Sequence, residues 1–236
     1  MRNFIALLLA AGAMAGAGAA RAAAANAPAA APKGAARVPA SLSVRRLAAI
    51  VDARYNSLHT MSARFTEIFT APGEHRVESG RVWLRHPGLM RWDYETPQRK
   101  LFLIGRHNAW LYIYGTRTAQ RTPLAASRDL RTPLRFLLGK THLERELEGL
   151  SYGGLNPLRA GDWVLRGRPK DMDGIYREVL LEVSRAYNIR RLVMREVTGA
   201  EVDLRFSQIQ ANHRLPRGRF HFRLPAGVMI VAGPAQ

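Results

Sequence analysis

Alternating apolar and polar residues dominate this chain and predict a protein built mainly of β-strands. The clearest segment is Gly80–Pro97, where a Pro-Gly pair at 87–88 separates two strand-like stretches. In the second stretch Met90, Trp92 and Tyr94 alternate with charged residues, which is the period-two pattern of a half-buried strand. Large apolar groups line its hidden side, with no group typical of a catalytic site among them. The segment therefore predicts a sheet face that holds something apolar.

The same alternation recurs along the chain and predicts the other strands. We expect strands at Met61–Thr70, Gly80–Leu84, Leu89–Tyr94, Leu101–Ile104, Ala109–Tyr114, Trp163–Leu165, Tyr176–Val183, Arg191–Val197, Val202–Gln208 and Phe220–Phe222. Strands that follow one another at short, regular spacing form antiparallel sheets that curl. The pattern therefore predicts a mainly β (α+β) fold, a barrel or half-barrel of about ten strands.

Apolar residues at helical spacing predict helices only near the start and in the middle of the chain. Ser41–Leu58 carries apolar residues three, four and seven positions apart, with a serine cap at position 41 or 43. Thr132-Pro133 starts a helix within Ser127–Leu138, and a weaker helical pattern covers Leu143–Leu150. We expect these helices to cover the open side of the sheet.

The first 22 residues have the composition of a secretion signal. A positive start, an apolar core and the sequence Ala20-Arg21-Ala22 predict cleavage after Ala22, or else after Ala20. A membrane-spanning helix is the alternative, but glycines dilute the apolar run, which is short for a span of about 20 residues. Residues 23–40 are nearly all alanine and proline and predict a disordered linker. One folded domain is then expected over residues 41–236.

The absence of cysteine and the positive net charge limit the classes of protein to which the chain can belong. The chain has no cysteine, which excludes disulfides, thiolate metal sites and a lipid-modified N-terminal cysteine. Its net charge is +18, or +16 without the two arginines of the signal. Because the basic residues are scattered singly through predicted strands, we expect no specific nucleic-acid binding. Docking onto acidic partners or anionic lipid headgroups stays open.

A search for catalytic or metal-binding patterns finds none. The seven histidines include no helical pair with a glutamate, and there is no nucleophile elbow and no phosphate-binding glycine loop. Asp171–Gly174 looks like the start of a calcium loop without its later ligands, so we expect a hairpin turn there. We therefore expect a protein that is not an enzyme and uses no cofactor or metal. The side chains that the predicted strands bring together are aromatic, and the simplest explanation for them is an ordinary sheet core.

Five motifs, in order, resemble the periplasmic outer-membrane lipoprotein carrier family, LolA. They are Phe65-Thr66-Glu67, Gly80-x-Val82-Trp83-Leu84-x-x-Pro87-x-x-x-Arg91-Trp92-x-Tyr94-x-x-Pro97, Asn108-Ala109-Trp110-Leu111-Tyr112, Thr132-Pro133-x-x-Phe136-Leu137-Leu138, and Asn212 through Phe220-His221-Phe222-x-Leu224-Pro225-x-Gly227-Val228. The resemblance covers nearly the whole predicted domain.

This resemblance implies an incomplete antiparallel barrel whose concave side is closed by a lid of short helices over a hydrophobic cavity. The implied cavity residues are Met90, Trp92, Tyr94, Phe102, Ile104, Trp110, Tyr112, Phe136 and Leu137. The implied function is that of a monomeric periplasmic carrier, which binds lipoprotein acyl chains. It takes lipoproteins from an inner-membrane ABC transporter to an outer-membrane acceptor. Three chains of about 15 carbons, at roughly 0.8 kcal/mol per methylene, would cost about 36 kcal/mol to expose to water.

One position departs from the family pattern. The family carries an arginine directly before the proline of this motif, where it tethers the lid, whereas this chain has His86 there and Arg85 one residue earlier. A shift by one residue sends a strand side chain to the opposite face, so Arg85 does not simply replace that arginine. Either His86 forms a weaker, pH-sensitive tether, or another arginine reaches the lid.

Other functions stay open beside the carrier. A protein of the same fold could bind another lipid or sense mislocalised lipoproteins, and a secreted hydrolase or polyanion-binding protein belongs to a different class. An outer-membrane acceptor would need the anchoring cysteine that this chain lacks. Co-purified acyl chains would favour lipid binding, whereas salt-sensitive binding to heparin or DNA would favour polyanion binding.

Overall fold

The computed structural model describes residues 42–124, 137, 142–172 and 174–233. The predicted signal and linker, residues 1–40, lie outside this part of the chain. The predicted helix Ser127–Leu138 also lies outside it, except for Leu137, which is helical.

The first element that the structure describes is helix α1, Val44–Asn56. The cap predicted at Ser43 is confirmed, because its Oγ accepts a hydrogen bond from the backbone N–H of Arg46 at 3.2 Å. That N–H is one of the amide groups that the start of a helix leaves without a partner. The helix buries one side, which consists of Leu47, Ala48, Val51 and Tyr55.

Twelve strands follow in the described residues and form one sheet. They are β1 (Thr60–Ala71), β2 (Glu74–Arg85), β3 (Leu89–Thr96), β4 (Lys100–Ile104), β5 (Asn108–Ile113), β6 (Thr118–Pro123), β7 (Leu147–Tyr152), β8 (Trp163–Pro169), β9 (Tyr176–Val183), β10 (Ile189–Glu196), β11 (Glu201–Ala211) and β12 (Met229–Ala232). A one-turn helix, α2 (Leu143–Glu146), precedes β7. Short 3-10 turns lie at Lys170–Met172 and Arg217–Phe220.

The first strand lies near the centre of the sheet, whose order is β12-β6-β5-β4-β3-β2-β1-β11-β10-β9-β8-β7. Strands β2 to β6, with β12, form one wing on one side of β1, and β7 to β11 form the other wing. Neighbouring strands are antiparallel, except that β12 is parallel to β6. The sheet is open, with β12 and β7 at its edges. The predicted mainly β, incomplete antiparallel fold is confirmed, with twelve strands in place of about ten.

The two faces of the sheet have different covers. The face that packs with α1, which we call the inner face, belongs to the main core. The opposite, outer face carries a smaller apolar cluster on β4 to β6 that is covered by residues from the segment 212–228. Because side chains alternate along a strand, neighbouring residues enter different cores. In β4, Ile104 belongs to the inner core and Leu103 to the outer cluster.

Three expectations about the elements are wrong or incomplete. Strands β6 and β12 have no predicted counterpart, because β6 buries only an alanine and a threonine and β12 buries no residue fully. The predicted strand Phe220–Phe222 is instead the end of the 3-10 turn and the residues after it, and both phenylalanines pack on the outer face. The predicted helix Leu143–Leu150 ends at Glu146, where β7 begins directly afterwards.

Candidate functional site

The inner face of β1 to β5 forms a continuous apolar layer. Paired residues of antiparallel strands share a face, so Trp92 lies between Val82 of β2 and Phe102 of β4. We call this set the inner layer, and its buried apolar members are Met61, Ala63, Phe65, Phe69, Val82, Leu84, Met90, Trp92, Tyr94, Phe102, Ile104, Ala109 and Leu111.

Helical residues share a core with the inner layer. Leu137, Leu143 of α2 and the buried side of α1 all belong to that core. Both carboxylate oxygens of Asp52 accept the backbone N–H of Leu143, at 3.0 and 3.2 Å, which joins α1 to α2. The hydroxyl of Tyr55 accepts the backbone N–H of Ile189 at 2.9 Å and so ties α1 to β10. Burial raises the pKa of Tyr55 to about 12, so this hydroxyl stays neutral at physiological pH.

Aromatic rings form the centre of the inner layer. The ring centroid of Phe65 lies 4.6 Å from that of Trp92 and 4.9 Å from that of Tyr94, both in edge-to-face geometry. Phe206 of β11 extends the group, with its ring 6.2 Å from Trp92. Trp92 Nε1 is buried and has no hydrogen-bond partner among the described residues. The layer therefore offers a ligand ring surfaces and an N–H donor.

A buried charged cluster borders these rings. Lys100 Nζ lies 2.6 Å from Glu78 Oε2 and 4.1 Å from the centre of the Tyr94 ring. Glu67, directly opposite Glu78 across β1 and β2, accepts a hydrogen bond from the Tyr94 hydroxyl at 2.9 Å. Burial is the main cause that raises the pKa of Glu67, and the charge of Lys100 opposes it. The cluster was missed because Glu78 and Lys100 meet only through the strand pairing.

The structure brings together most of the predicted cavity residues. Those found in the inner layer or its cover are Met90, Trp92, Tyr94, Phe102, Ile104 and Leu137. The expectation that Trp110 and Tyr112 share this face is wrong, because both rings lie in the outer cluster. The strands β4 and β5 are apolar on both faces, so their pattern does not say which face meets the helices. Phe136 lies outside the described residues.

The two predicted lid-tether residues are Arg85, which is the last residue of β2, and His86, which follows it. The Arg85 guanidinium lies on the outer side, where it donates to the Leu215 carbonyl at 3.3 Å and sits 5.0 Å from the centre of the Phe220 ring. His86 is half-buried, and its Nε2 has no hydrogen-bond partner among the described residues. Burial lowers the pKa of His86, and the neighbouring His59 adds to this effect. The tether itself stays a prediction, because nearly all of the predicted lid lies outside the described residues.

The inner layer is closed in this structure. Met90, Trp92 and Phe102 are at most 2% exposed. Of two open clefts, one of about 510 Å³ is lined mainly by α1, α2 and β7, and the other, of about 460 Å³, is lined largely by β11. Neither is lined by those three side chains. A ligand on the layer would require the side chains that bury it to move.

The described residues show neither a metal site nor a membrane-spanning helix. No group of three or more histidine, cysteine, aspartate or glutamate side chains is placed to hold a metal ion in this part of the chain. Here too, none of the helices has the length and apolar character needed to span a membrane. The turn predicted around Asp171 is confirmed, since this residue lies in the 3-10 turn between β8 and β9.

The open antiparallel sheet and its buried apolar face place this chain in the class of β-sheet proteins with an apolar interior. The chain belongs to the family Outer membrane lipoprotein carrier protein LolA, whose model matches residues 56–223. It is 30% identical over 209 residues to the outer-membrane lipoprotein carrier protein of Chromobacterium violaceum, covering 84% of this chain and 95% of that one. The protein of the same name from Nitrosospira multiformis is 26% identical over 175 residues, or 73% of this chain and 82% of that one.

Among solved structures, an uncharacterized conserved protein from Thermus thermophilus is similar, with a TM-score of 0.51 and 16% sequence identity. The match covers 79% of this chain and 97% of that one. At this identity the likeness supports the fold alone.

Proposed function

We propose that this protein is a lipoprotein carrier that binds acyl chains on the inner layer. Membership of the lipoprotein carrier family is the observation that carries the proposal. The inner layer supplies the chemistry, because saturated chains need a continuous apolar surface. Met90 adds an adaptable side chain, and Trp92 and Phe102 add ring faces. Tyr94, Ile104, Leu137 and Phe136 complete the proposed contacts.

Competition between the protein's own side chains and an acyl chain would make binding reversible. The inner layer is already buried in the main core, so a bound chain would take over surface that other apolar side chains now cover. Exchanging one apolar cover for another changes the buried apolar area little, and the net hydrophobic free energy changes little with it. A carrier needs this balance, because it must release its cargo as well as hold it.

The proposed route is periplasmic. Residues 1–22 would direct export, residues 23–40 would act as a linker, and the domain 41–236 would carry the cargo as a monomer. An inner-membrane ABC transporter would load it, and an outer-membrane acceptor would receive the lipoprotein. This work consists of binding and release, so the protein would be no enzyme and would need no cofactor, metal or nucleic acid.

The test is transfer of a triacylated lipoprotein. Purified protein should release such a lipoprotein from inner-membrane vesicles that contain the transporter, and mass spectrometry should find acyl species bound to it. Acyl binding without release of several cargoes would reject the proposed route. A folded protein that neither binds nor releases acylated cargo would reject the carrier itself.

A matched pair of substitutions in β4 tests the proposed face. Ile104 and Leu103 are adjacent and both buried, but they face the inner layer and the outer cluster respectively. Ile104→Thr places a hydroxyl against the proposed chain and should weaken acyl binding about tenfold. Leu103→Thr should lose comparable stability and bind acyl chains normally. Equal binding losses would contradict the assignment of the inner face.

A further inference from the structure

The fold collects basic residues from two distant segments on one wing of the sheet. Residues 97–124 form β4 to β6, and residues 212–233 cover the outer side of these strands and end in β12, which pairs with β6. These two segments contain nine lysines and arginines and no aspartate or glutamate. The other described residues contain 19 lysines and arginines against 16 acidic residues. Arginines that look scattered along the sequence are therefore concentrated in the fold.

Aromatic rings hold several of these arginines on the outer side. A continuous line of contacts runs through Arg99, Tyr114, Tyr112, Phe222, Trp110 and Arg121, with 4.9, 5.0, 5.6, 5.5 and 5.8 Å between successive guanidinium carbons or ring centres. Arg219 lies 4.3 Å from the centre of the Trp83 ring in the same way. A guanidinium packed flat on a ring is held in place and keeps N–H groups for a further partner.

Apolar side chains are exposed on the same wing. Seven large apolar side chains are exposed among the described residues, and four of them are Tyr114 (40%), Leu224 (37%), Met229 (65%) and Ile230 (45%). The Met229 N–H donates to the Arg117 carbonyl at 2.8 Å, so exposed apolar and basic residues are neighbours. We call Arg99, Tyr114, Arg117, Arg121 and Ile230, all exposed, the basic aromatic surface. Ile230 pairs with Ala119 of the outer cluster and so faces outward, whereas Met229 points to the opposite face.

We propose that the basic aromatic surface docks this protein onto an anionic lipid bilayer. Guanidinium groups bind phosphates through paired hydrogen bonds, and tyrosine and aliphatic side chains enter the region between headgroups and acyl chains. A soluble polyanion would use the arginines alone, whereas the exposed Tyr114 and Ile230 fit a partner that is charged outside and apolar beneath. The proposal goes beyond acyl-chain transport and concerns the opposite face of the sheet.

Co-sedimentation of the purified protein with vesicles tests the proposal. Binding is expected to vesicles of phosphatidylcholine and phosphatidylglycerol, to weaken at higher salt, and to be at least about tenfold weaker on phosphatidylcholine alone. Each arginine at an anionic surface contributes about fivefold. The triple variant Arg99→Gln, Arg117→Gln, Arg121→Gln should therefore lower the partition coefficient by up to about 100-fold.

Charge-matched and apolar variants test whether vesicle binding depends on the basic aromatic surface itself. Replacing the exposed Arg46, Arg145 and Arg177 by glutamine removes the same charge elsewhere and should change binding by less than about threefold. The pair Tyr114→Ser, Ile230→Ser should weaken vesicle binding about tenfold, since it removes apolar area at the surface. The pair Val77→Ser, Val197→Ser, with 49% and 54% exposure in the original residues, should not.

Two outcomes would overturn the proposal. Equal losses in the two arginine triples would mean that net charge, and not this surface, drives binding. Binding to heparin or an acidic peptide without binding to anionic vesicles would identify a soluble partner. Urea midpoints near the wild-type value show that the variants are folded. Acyl binding should be unchanged in all of them, so this test can fail while the carrier function stands.

Discussion

Replacing Lys100 by methionine tests how the buried charged cluster is held beside the apolar layer. Lys100 Nζ lies 2.6 Å from Glu78 Oε2, and the two side chains are 4% and 6% exposed. Methionine keeps most of the length of the lysine stem and its packing on the Tyr94 ring, but it removes the charge. Glu78 and Glu67 are directly opposite each other and would then face one another without that lysine.

The burial of the Lys100–Glu78 pair determines how much free energy of unfolding the substitution removes. Removing one partner of a buried ion pair costs about 3–5 kcal/mol, because the remaining charge is uncompensated. Arg76 Nε lies 3.9 Å from the same Glu78 oxygen and compensates part of that charge. We therefore expect Lys100→Met to lower the free energy of unfolding by about 3 kcal/mol at neutral pH. Adding Glu78→Gln should restore most of the loss, since it removes the charge left behind.

Urea unfolding, followed by tryptophan fluorescence, measures these differences. The control is Arg64→Met, which breaks the 3.1 Å pair with Glu95 whose side chains are 39% and 44% exposed, and should cost less than about 1 kcal/mol. Equal costs for the buried and exposed pairs, or a double variant equal to the sum of its parts, would refute this reasoning.

Two further substitutions probe neighbouring positions. Burial raises the pKa of Glu67, so its contribution to stability is complete below the unfolded pKa and is lost as pH rises through the folded one. Glu67→Gln should therefore raise the free energy of unfolding at about pH 8 and change it little at about pH 4, and parallel pH profiles in urea would contradict this. Gly80→Ala should cost more than about 3 kcal/mol in thermal unfolding, because an added Cβ would lie 2.0 Å from the Asp93 carbonyl oxygen. Its control is Gly174→Ala, where an added Cβ meets no atom within 4 Å, and similar melting of the two variants would disprove the close contact.

The inner face could be predicted from sequence where a strand has only one apolar side. In β3, Met90 and Trp92 enter the core, while Arg91 and Asp93 pair on the other side at 2.8 Å. The charged residues thus identify the outer face, and the period-two pattern then allows only one assignment of the two faces of the strand. The inward residues of β3 were accordingly assigned to the correct face.

The same reasoning failed in β5, where both sides are apolar. Trp110 and Tyr112 lie outward because residues from the segment 212–228, about a hundred positions later, cover them there. A local pattern reports that a side chain is buried but does not report what buries it. The buried pair of Lys100 and Glu78 was missed for a related reason, since each charge looks solvent-exposed until the strands are placed side by side.

Alternation along the strands also separates the two proposed surfaces. Helix α1 shares the core of the inner face, whereas the segment 212–228 and the basic aromatic surface lie on the outer side. A bilayer bound to the outer side would leave the inner face turned away from it. Adjacent residues such as Leu103 and Ile104 serve different faces, and substitutions on the two sides that are far apart and share no partner should have additive effects. Docking and acyl binding can therefore change independently in this sheet.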